Sequence, residues 1–254
     1  MKSINIGLLS AMPEEIGSTI DNLENVTLTE YGDLKIYNGK LKKKVLNYES
    51  VYITLAWSGW GKVSAARAIT RIIAGKNKID LIVFTGVAGA ANKSLNQWDI
   101  VIANEVIQHD MDARPIFEKF VLPPLNKAKL ESNNFFKNWI YSSLTKGIKN
   151  GNLTRFGNIR KGLIATGDSF ISEESVIKSL KNELPNLEAI EMEGGAVAQV
   201  AEQEGIPWVI VRVISDGADS NSEMDFEQFL EDYVLSSWKL LDSILEDIPK
   251  MPIN

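Results

Sequence analysis

Short apolar runs separated by longer amphipathic stretches set the first expectation for this chain. Six runs are nearly continuous in valine, isoleucine and leucine, a pattern typical of strands covered on both faces: 4–9, 51–57, 81–86, 99–104, 161–167 and 208–215. Between many of them lie stretches long enough for helices: 13–23, 62–75, 133–146, 172–180, 194–204 and 226–247. This alternation predicts an α/β fold with three layers, α/β/α, around a central mixed, mostly parallel sheet. Ligands of such a sheet bind beyond the carboxyl ends of its strands.

Two segments depart from the alternation. Residues 28–57 carry short alternating runs and glycine turns, which predict a hairpin or meander added to the sheet. Residues 110–135 form the longest stretch without clear periodicity, and a loop of that length is usually functional or interfacial. The sequence has no internal repeat and no linker-like tract, so residues 1–254 are expected to form a single domain.

The composition excludes several classes of partner. A net charge of −6 provides no basic field for nucleic acid or for an anionic membrane, so the expected partner is a small molecule or a protein. The chain has no cysteine and one histidine, His109, so neither a disulfide framework nor a zinc site is expected. The first apolar run is too brief for a signal peptide or a membrane span, which favours a cytoplasmic protein.

Four short segments follow predicted strands and should meet at one edge of the sheet: "SAMPEE" (10–15), "FTGVAGA" (84–90), "EAIEMEGGAV" (188–197) and "VISDGAD" (213–219). In the first, Pro13 suits the start of a helix, and Glu14 and Glu15 fall in its first turn, where the helix dipole favours negative charge. Glu15 either has that structural role or points into the site as a general base for water. The second segment, like "SGWGKVSAA" (58–66), lacks a full nucleotide-binding pattern and indicates a tight turn or a close backbone approach to a ligand.

The other two segments place carboxylates beside apolar residues. Glu191 and Glu193 follow Ile190 and precede small, apolar residues, so they are either solvated at a strand end or buried. Buried carboxylates need hydrogen-bond donors, and a ribose diol supplies two hydroxyls in one place. Asp216, after Ser215, is either a helix cap or an Asx turn, or an acid that protonates a leaving group.

Taken in order, these motifs resemble those of the nucleoside phosphorylase and nucleosidase superfamily, and within it the bacterial 5'-methylthioadenosine/S-adenosylhomocysteine nucleosidases. The resemblance also includes "ATGDSFI" and "VRVISDGAD" and covers nearly the whole chain. It implies a nucleoside phosphorylase-like fold, a homodimer, and no cofactor or metal. The implied reaction is hydrolysis of the N-ribosidic bond, which releases adenine and 5-methylthioribose or S-ribosylhomocysteine and serves methionine salvage and nucleoside catabolism.

The same resemblance implies roles for individual residues. The water-activating glutamate falls on Glu15, and the acid that donates a proton to purine N7 falls on Asp216. Ser215 helps to orient that acid, while the ribose is bound by Met192, through its backbone, and by Glu193. The other substrate-binding positions are Met12, Ala88 and Gly89 near the base and ribose, Phe170 stacked on the base, and Ile171 at the adenine edge.

The group that accepts the ribosyl residue separates a hydrolase from a phosphorylase. Phosphorylases that resemble this chain place an arginine in the segment corresponding to "SAMPEE"; here two glutamates would repel phosphate and favour water. Arg212, within "VIVRVIS", is expected to pair with a buried carboxylate, Glu14 or Glu191. The alternative functions are a futalosine-type nucleosidase with a bulky aromatic 5' group, a purine nucleoside phosphorylase, and a non-catalytic storage or ligand-binding relative.

Two features depart from the family pattern. Val87 stands where relatives often have serine, and the loop that contains residues 110–125 differs. In related enzymes this loop covers the 5' end of the substrate in a second subunit, so the expected homodimer places it near the partner's site. His109 either belongs to that region or makes a structural hydrogen bond. Arg114 either recognises a carboxylate of the substrate or pairs with an acid of the loop.

Overall fold

The computed structural model describes residues 3–218 and 222–251, so Asp219 of "VRVISDGAD" lies outside the described residues. The strands in this part of the chain are β1 (Ile4–Ser10), β2 (Leu23–Tyr31), β3 (Leu34–Leu41), β4 (Val51–Trp57), β5 (Leu81–Ala90), β6 (Ile100–Gln108), β7 (Lys129–Glu131), β8 (Ile159–Thr166), β9 (Leu187–Glu191) and β10 (Trp208–Asp216). The α-helices are α1 (Lys62–Ile73), α2 (Asn134–Lys149), α3 (Glu174–Glu183), α4 (Gly194–Gln203), α5 (Ser222–Tyr233) and α6 (Ser237–Glu246). Each of the six apolar runs forms a strand, as the sequence predicts.

All of these strands belong to one mixed sheet, in the order β10-β6-β8-β9-β5-β1-β4-β3-β2, with β7 beside β6. Parallel pairing joins β4, β1, β5 and β10 in one set and β6, β8 and β9 in another. Because β10 pairs with both β5 and β6, and β9 pairs with both β8 and β5, five strands form a closed ring. The sequence predicts the mixed sheet but not its closure.

The two sets of parallel strands run in opposite directions and meet at their carboxyl ends. β5 and β9 are antiparallel, and they pair only through Gly89 with Ile190 and Ala90 with Ala189. Because the paired residues lie at the end of each strand, both strands leave the sheet at the same place. The segments after β5 and β9 are therefore neighbours of those after β1 and β10.

Helices cover both faces of the sheet. On one face, α2, α5 and α6 share a core with β1, β4, β5 and β10. On the other face, α1 and α4 pack small and branched side chains, such as Ala68, Ile69 and Val197, against the same sheet, and α3 packs with β8 and β9. The three-layer α/β/α fold is therefore confirmed, and burial of both strand faces explains the continuous apolar runs.

One irregular segment takes its expected form, and the other does so in part. Within residues 28–57, β2, β3 and β4 pair in antiparallel fashion as a meander at one end of the sheet. Of residues 110–135, only 110–128 are irregular, with turns and an isolated bridge between Leu122 and Lys127, because β7 and the start of α2 occupy the rest. No helix in the described ranges is long and apolar enough to cross a bilayer.

The prediction of one helix at residues 13–23 is wrong. The chain instead makes two 3₁₀ turns, Pro13–Glu15 and Gly17–Asn22. Gly17 has a φ of +46°, which interrupts the helical path. A Cβ on Gly17 would lie 2.8 Å from the carbonyl oxygen of Val234, so the backbone here approaches the turn after α5 too closely for a side chain.

The single helix expected at residues 226–247 is also wrong, because the chain forms α5 and α6 with a turn between them. In that turn the N–H of Ser236 donates to the carbonyl of Tyr233 (2.8 Å). Leu235 is 74% exposed, whereas Phe229, Tyr233 and Leu240 are buried in one core. The break therefore keeps the apolar sides of both helices against the sheet.

Candidate active site

A pocket opens beyond the carboxyl ends of β1, β5, β9 and β10, where sheets of this kind bind their ligands. Nine of the ten residues expected at the site line it: Met12, Glu15, Ala88, Gly89, Phe170, Met192, Glu193, Ser215 and Asp216. Ile171 does not line the pocket, and its side chain packs against the apolar cluster that includes Ile177 and Leu180 of α3. Nine of the ten residues expected from the sequence thus lie at one pocket, and the pocket has further lining residues that the sequence does not single out.

Glu15 is a buried carboxylate with 3% of its surface exposed. Its Oε2 accepts hydrogen bonds from Ala11 N (2.7 Å) and Met12 N (2.8 Å), and its Oε1 accepts one from Val87 N (2.8 Å). Burial raises the pKa of Glu15, while the charge of Arg212 and the three N–H donors oppose that rise. Glu15 is thus turned into the pocket rather than toward solvent at a helix start.

Glu191 is bound on several sides by the protein itself. Its Oε2 lies 2.6 Å from Nη2 of Arg212, and its Oε1 accepts a hydrogen bond from the hydroxyl of Thr166. The N–H groups of Glu193 (3.1 Å) and Gly194 (2.6 Å) also donate to Oε2. Because these N–H groups begin α4, Glu191 caps the positive end of that helix. The expected ion pair of Arg212 is confirmed, with Glu191 as the partner.

Glu193 is also buried, but it is bound by a different helix. Its Oε1 accepts a hydrogen bond from the N–H of Gly61 (2.8 Å), the residue that caps the start of α1. Burial first, and then the charge of Glu191, raise the pKa of Glu193 to about 8. Glu193 lines the pocket, so its remaining lone pairs are available to the hydroxyls of a ligand.

Asp216 ends β10 with both carboxyl oxygens fixed in place. The hydroxyl of Ser215 donates to Oδ2 (2.7 Å), and the N–H of Ala218 donates to Oδ1 (2.8 Å). Ser215 Oγ also lies 3.3 Å from the carbonyl oxygen of Ala88. The bond to Ala218 is the Asx-type turn that the sequence allows, and the same carboxyl lines the pocket. Structural and chemical roles are therefore compatible at Asp216.

Three aromatic side chains line the pocket, and the sequence indicates only one of them, Phe170. The ring of Phe226 lies edge-on to Phe170 (5.8 Å between centroids) and to Trp60 (6.1 Å). Phe226 begins the stretch 226–247, whose apolar residues recur at helical spacing. Such a stripe is typical of core packing, so the sequence gives no sign that Phe226 faces a ligand. Trp60 lies between two glycines at the end of a strand, where a large exposed aromatic is itself a signal of ligand contact.

Arg114 and His109, for which the sequence allows two roles each, do not line the pocket. Arg114 Nε donates to Asp112 Oδ1 (2.8 Å), which confirms that it pairs with an acid of the loop. The Nε2 atom of His109 is buried and has no hydrogen-bond partner among the described residues, so this atom does not make the expected structural bond. Burial lowers the pKa of His109, which keeps the ring neutral at physiological pH.

Comparisons with known proteins match this chain over nearly its whole length. A model of the phosphorylase superfamily matches residues 5–246. The 5'-methylthioadenosine/S-adenosylhomocysteine nucleosidase of Anoxybacillus flavithermus is 33% identical over 97% of this chain and 100% of that protein. The S-adenosylhomocysteine nucleosidase of Streptococcus pyogenes, solved with 5-methylthiotubericidin, has a TM-score of 0.85, 29% identity, and coverage of 98% of this chain and 99% of that one.

A futalosine hydrolase of Helicobacter pylori is also similar in structure, with a TM-score of 0.81, 28% identity, and coverage of 95% of this chain and 97% of that one. The fold alone therefore does not distinguish an S-adenosylhomocysteine nucleosidase from a futalosine hydrolase. The match to the Anoxybacillus flavithermus nucleosidase is more specific, because its sequence identity exceeds 30% over nearly the whole of both chains. The chain therefore belongs to the phosphorylase superfamily and, within it, to the 5'-methylthioadenosine/S-adenosylhomocysteine nucleosidases.

Proposed function

We propose that the protein hydrolyses the N-ribosidic bond of 5'-methylthioadenosine and S-adenosylhomocysteine, and releases adenine with 5-methylthioribose or S-ribosylhomocysteine. The family and the relatives named above support this reaction. The observation that carries it is the arrangement of three buried acids, Glu15, Glu193 and Asp216, around one pocket. A protein that only stores a ligand has no need of three such acids.

The three acids suit the charges that develop as the bond breaks. Positive charge appears on the ribose and negative charge on the departing adenine. Asp216, oriented by Ser215, donates a proton to purine N7, and Phe170 stacks on the base. Glu193 accepts hydrogen bonds from the ribose diol, beside the backbone of Met192. Each assisted proton transfer contributes roughly 10²- to 10⁴-fold to the rate.

Glu15 is the base that activates water. A carboxylate offers about four lone-pair sites, and three of those on Glu15 accept the N–H groups of Ala11, Met12 and Val87. The remaining lone pair suffices for one water molecule. Because burial raises the pKa of Glu15, the ionised form takes up a proton more readily than an exposed carboxylate does.

Water, rather than phosphate, is the acceptor. None of the described residues that line the pocket is a lysine or an arginine. Arg212, whose charge acts on both Glu15 and Glu193, is paired with Glu191 and 1% exposed. A phosphate dianion would meet several carboxylates without a compensating charge, and that cost favours a neutral acceptor.

We propose a cytoplasmic homodimer that acts in methionine salvage, with the 110–125 loop near the partner's site. The loop differs from the family pattern, and the pairing of its Arg114 with Asp112 (2.8 Å) disfavours contact between that arginine and a substrate carboxylate.

The proposal is tested by product analysis and by one substitution. Purified protein is incubated with 5'-methylthioadenosine, S-adenosylhomocysteine, futalosine and adenosine, and the released bases are separated by chromatography. We expect adenine from the first two. Release of base from futalosine alone would favour the futalosine-type alternative, and binding without turnover of any nucleoside would favour a storage protein.

Asp216→Asn is expected to lower kcat by roughly 10²- to 10⁴-fold, since it removes the donor to N7. The amide oxygen can still accept the Ala218 N–H, and the amide NH₂ can donate to Ser215 Oγ while that hydroxyl turns to the carbonyl of Ala88 (3.3 Å), so the thermal midpoint should stay close to that of the wild type. A nearly wild-type kcat in the folded variant would refute the role of Asp216 as the acid.

A further inference from the structure

Three loops meet beside the pocket at one group of charged side chains, Lys62, Asp110 and Asp168. These residues follow β4, β6 and β8, respectively, and Lys62 is the first residue of α1. Lys62 Nζ lies 2.6 Å from Asp110 Oδ1, and Lys62 N donates to Asp168 Oδ1 (2.7 Å). Asp168 N in turn donates to Asp110 Oδ2 (3.0 Å). Each of the three residues is thus bonded to both of the others, and we call the group the triangle.

Asp168 is exposed, but the Lys62–Asp110 pair of the triangle is better protected than an ordinary surface ion pair. The side chains of Lys62 and Asp110 are 19% and 32% exposed, whereas those of the pair Lys93 and Glu174 are 83% and 66% exposed. Exposed pairs contribute little because water screens them. Partial burial raises the pKa of Asp110, but hydrogen bonds from Lys62 and from the N–H of Asp168 outweigh this effect and hold the pKa below its usual value. Asp110 is therefore charged at neutral pH.

The triangle is connected directly to groups that face the pocket. Gly61, the residue before Lys62, donates its N–H to Glu193 (2.8 Å). Gly61 has a φ of +89°, and a Cβ there would lie 3.0 Å from Asp168 Oδ1, so the Asp168 carboxylate packs against the backbone that binds Glu193. Phe170 lies two residues after Asp168 and lines the pocket. Displacement of one residue of the triangle would therefore move both Glu193 and Phe170, which line the pocket.

We propose that Lys62, Asp110 and Asp168 are positioning residues that hold the Gly61–Glu193 hydrogen bond and the ring of Phe170 at the spacing a nucleoside requires. This inference rests on the proposed function. None of the three lines the pocket, so they act through Gly61 and Phe170. Glu15 and Asp216 are fixed by other hydrogen bonds, from Ala11, Met12, Val87, Ser215 and Ala218. The triangle consequently governs substrate binding more than bond cleavage.

Kinetics of one substitution and its conservative counterpart test this division. Lys62→Met removes the ammonium group but keeps an unbranched side chain. We expect KM for 5'-methylthioadenosine to rise by about tenfold or more and kcat to change by less than about threefold, because misplaced binding groups weaken binding. Lys62→Arg is expected to restore most of the lost affinity.

Lys127→Met is the matched control, because it removes an ammonium that pairs with Glu202 (3.5 Å) away from the pocket. Its KM is expected to equal that of the wild type. The pH dependence supplies a further readout. Ionised Glu193 is the better acceptor for the ribose hydroxyls, so KM should fall as the pH rises through the pKa of Glu193. The Gly61 N–H lowers that pKa, so a loosened Gly61–Glu193 bond in Lys62→Met should shift the fall in KM to a higher pH. A purely structural role of Lys62 would leave that pH unchanged.

Amide hydrogen exchange tests the triangle without a substrate. Residues 58–62 and 167–170 are expected to exchange about tenfold faster in Lys62→Met than in the wild type, and to be unaffected in Lys127→Met. Unchanged exchange in residues 167–170, or a wild-type KM in the folded variant, would overturn the proposal. A wild-type protein that releases no adenine would overturn the proposed function alone, since exchange still reports on the triangle.

Discussion

Glu191 and Glu193 lie two residues apart and have different electrostatic surroundings. Each accepts hydrogen bonds at the positive end of a helix, Glu191 at α4 and Glu193 at α1. Glu191 also has Arg212 as a direct counter-ion, whereas the charge of Glu191 itself raises the pKa of Glu193. Glu193 is therefore the acid that gains most from new hydrogen-bond donors, and a ribose diol supplies two of them.

Glu193→Gln is expected to stabilise the unliganded protein at high pH while it weakens nucleoside binding. The pKa of Glu193 is raised from 4.5 to about 8. Its contribution to stability is therefore fully present below about pH 4.5 and is lost as the pH rises through about 8. The amide keeps an acceptor for Gly61 and carries no charge. Its thermal midpoint should match that of the wild type near pH 5 and exceed it by a few degrees near pH 9.

Melting curves of both proteins across that pH range check this prediction, with Lys127→Met as a control for a surface change. A midpoint for Glu193→Gln that is below the wild-type value near pH 9 would show that ionised Glu193 stabilises the fold.

At the scale of elements, the site exists because strands of opposite direction meet at their carboxyl ends. The pairing of Gly89 with Ile190 brings the segment after β9 beside the segment after β5. The 3₁₀ turn after β1 then places Glu15 against β5, where Val87 donates to it. This contact requires a glycine at position 86, since a Cβ there would lie 2.5 Å from Glu15 Oε1 and 3.1 Å from Arg212 Nη1.

Gly86→Ala is consequently expected to displace the Glu15 carboxylate and to lower kcat by about 10²-fold, a usual effect of a misplaced catalytic group. The same change in a Glu15→Gln background should cause little additional loss, because the two changes affect one contact. Steady-state rates of the two single variants and the double variant measure this. A wild-type rate in Gly86→Ala would mean that Glu15 does not need its observed position.

The sequence predicts the elements better than it predicts how they meet. Both-face burial of the strands leaves a clear apolar signature, and the buried charge of Arg212 within such a strand indicates an ion pair. The donor to Glu193 is a backbone N–H of Gly61, and a backbone group has no side-chain signature. Ring closure and the turn between α5 and α6 depend on tertiary packing, which periodicity does not encode.

At the scale of the whole molecule, charge and fold together define the class of ligand. The chain has a net charge of −6, and its pocket is lined by acids and aromatic rings with no lysine or arginine among the described residues. An uncharged nucleoside that supplies hydroxyl donors and a flat base suits such a pocket. One sheet holds all the described strands, and a single domain over residues 1–254 stays a prediction.

Hydrolysis in ¹⁸O-labelled water tests most directly whether water accepts the ribosyl group. The wild-type protein is incubated with 5'-methylthioadenosine, with and without added phosphate, and the mass of the sugar product is measured by mass spectrometry. We predict free adenine and free 5-methylthioribose that carries one ¹⁸O atom at the earliest time points, before its C1 oxygen exchanges with solvent, at a rate that phosphate does not increase. A sugar 1-phosphate, or turnover only when phosphate is present, would contradict hydrolysis and identify a phosphorylase.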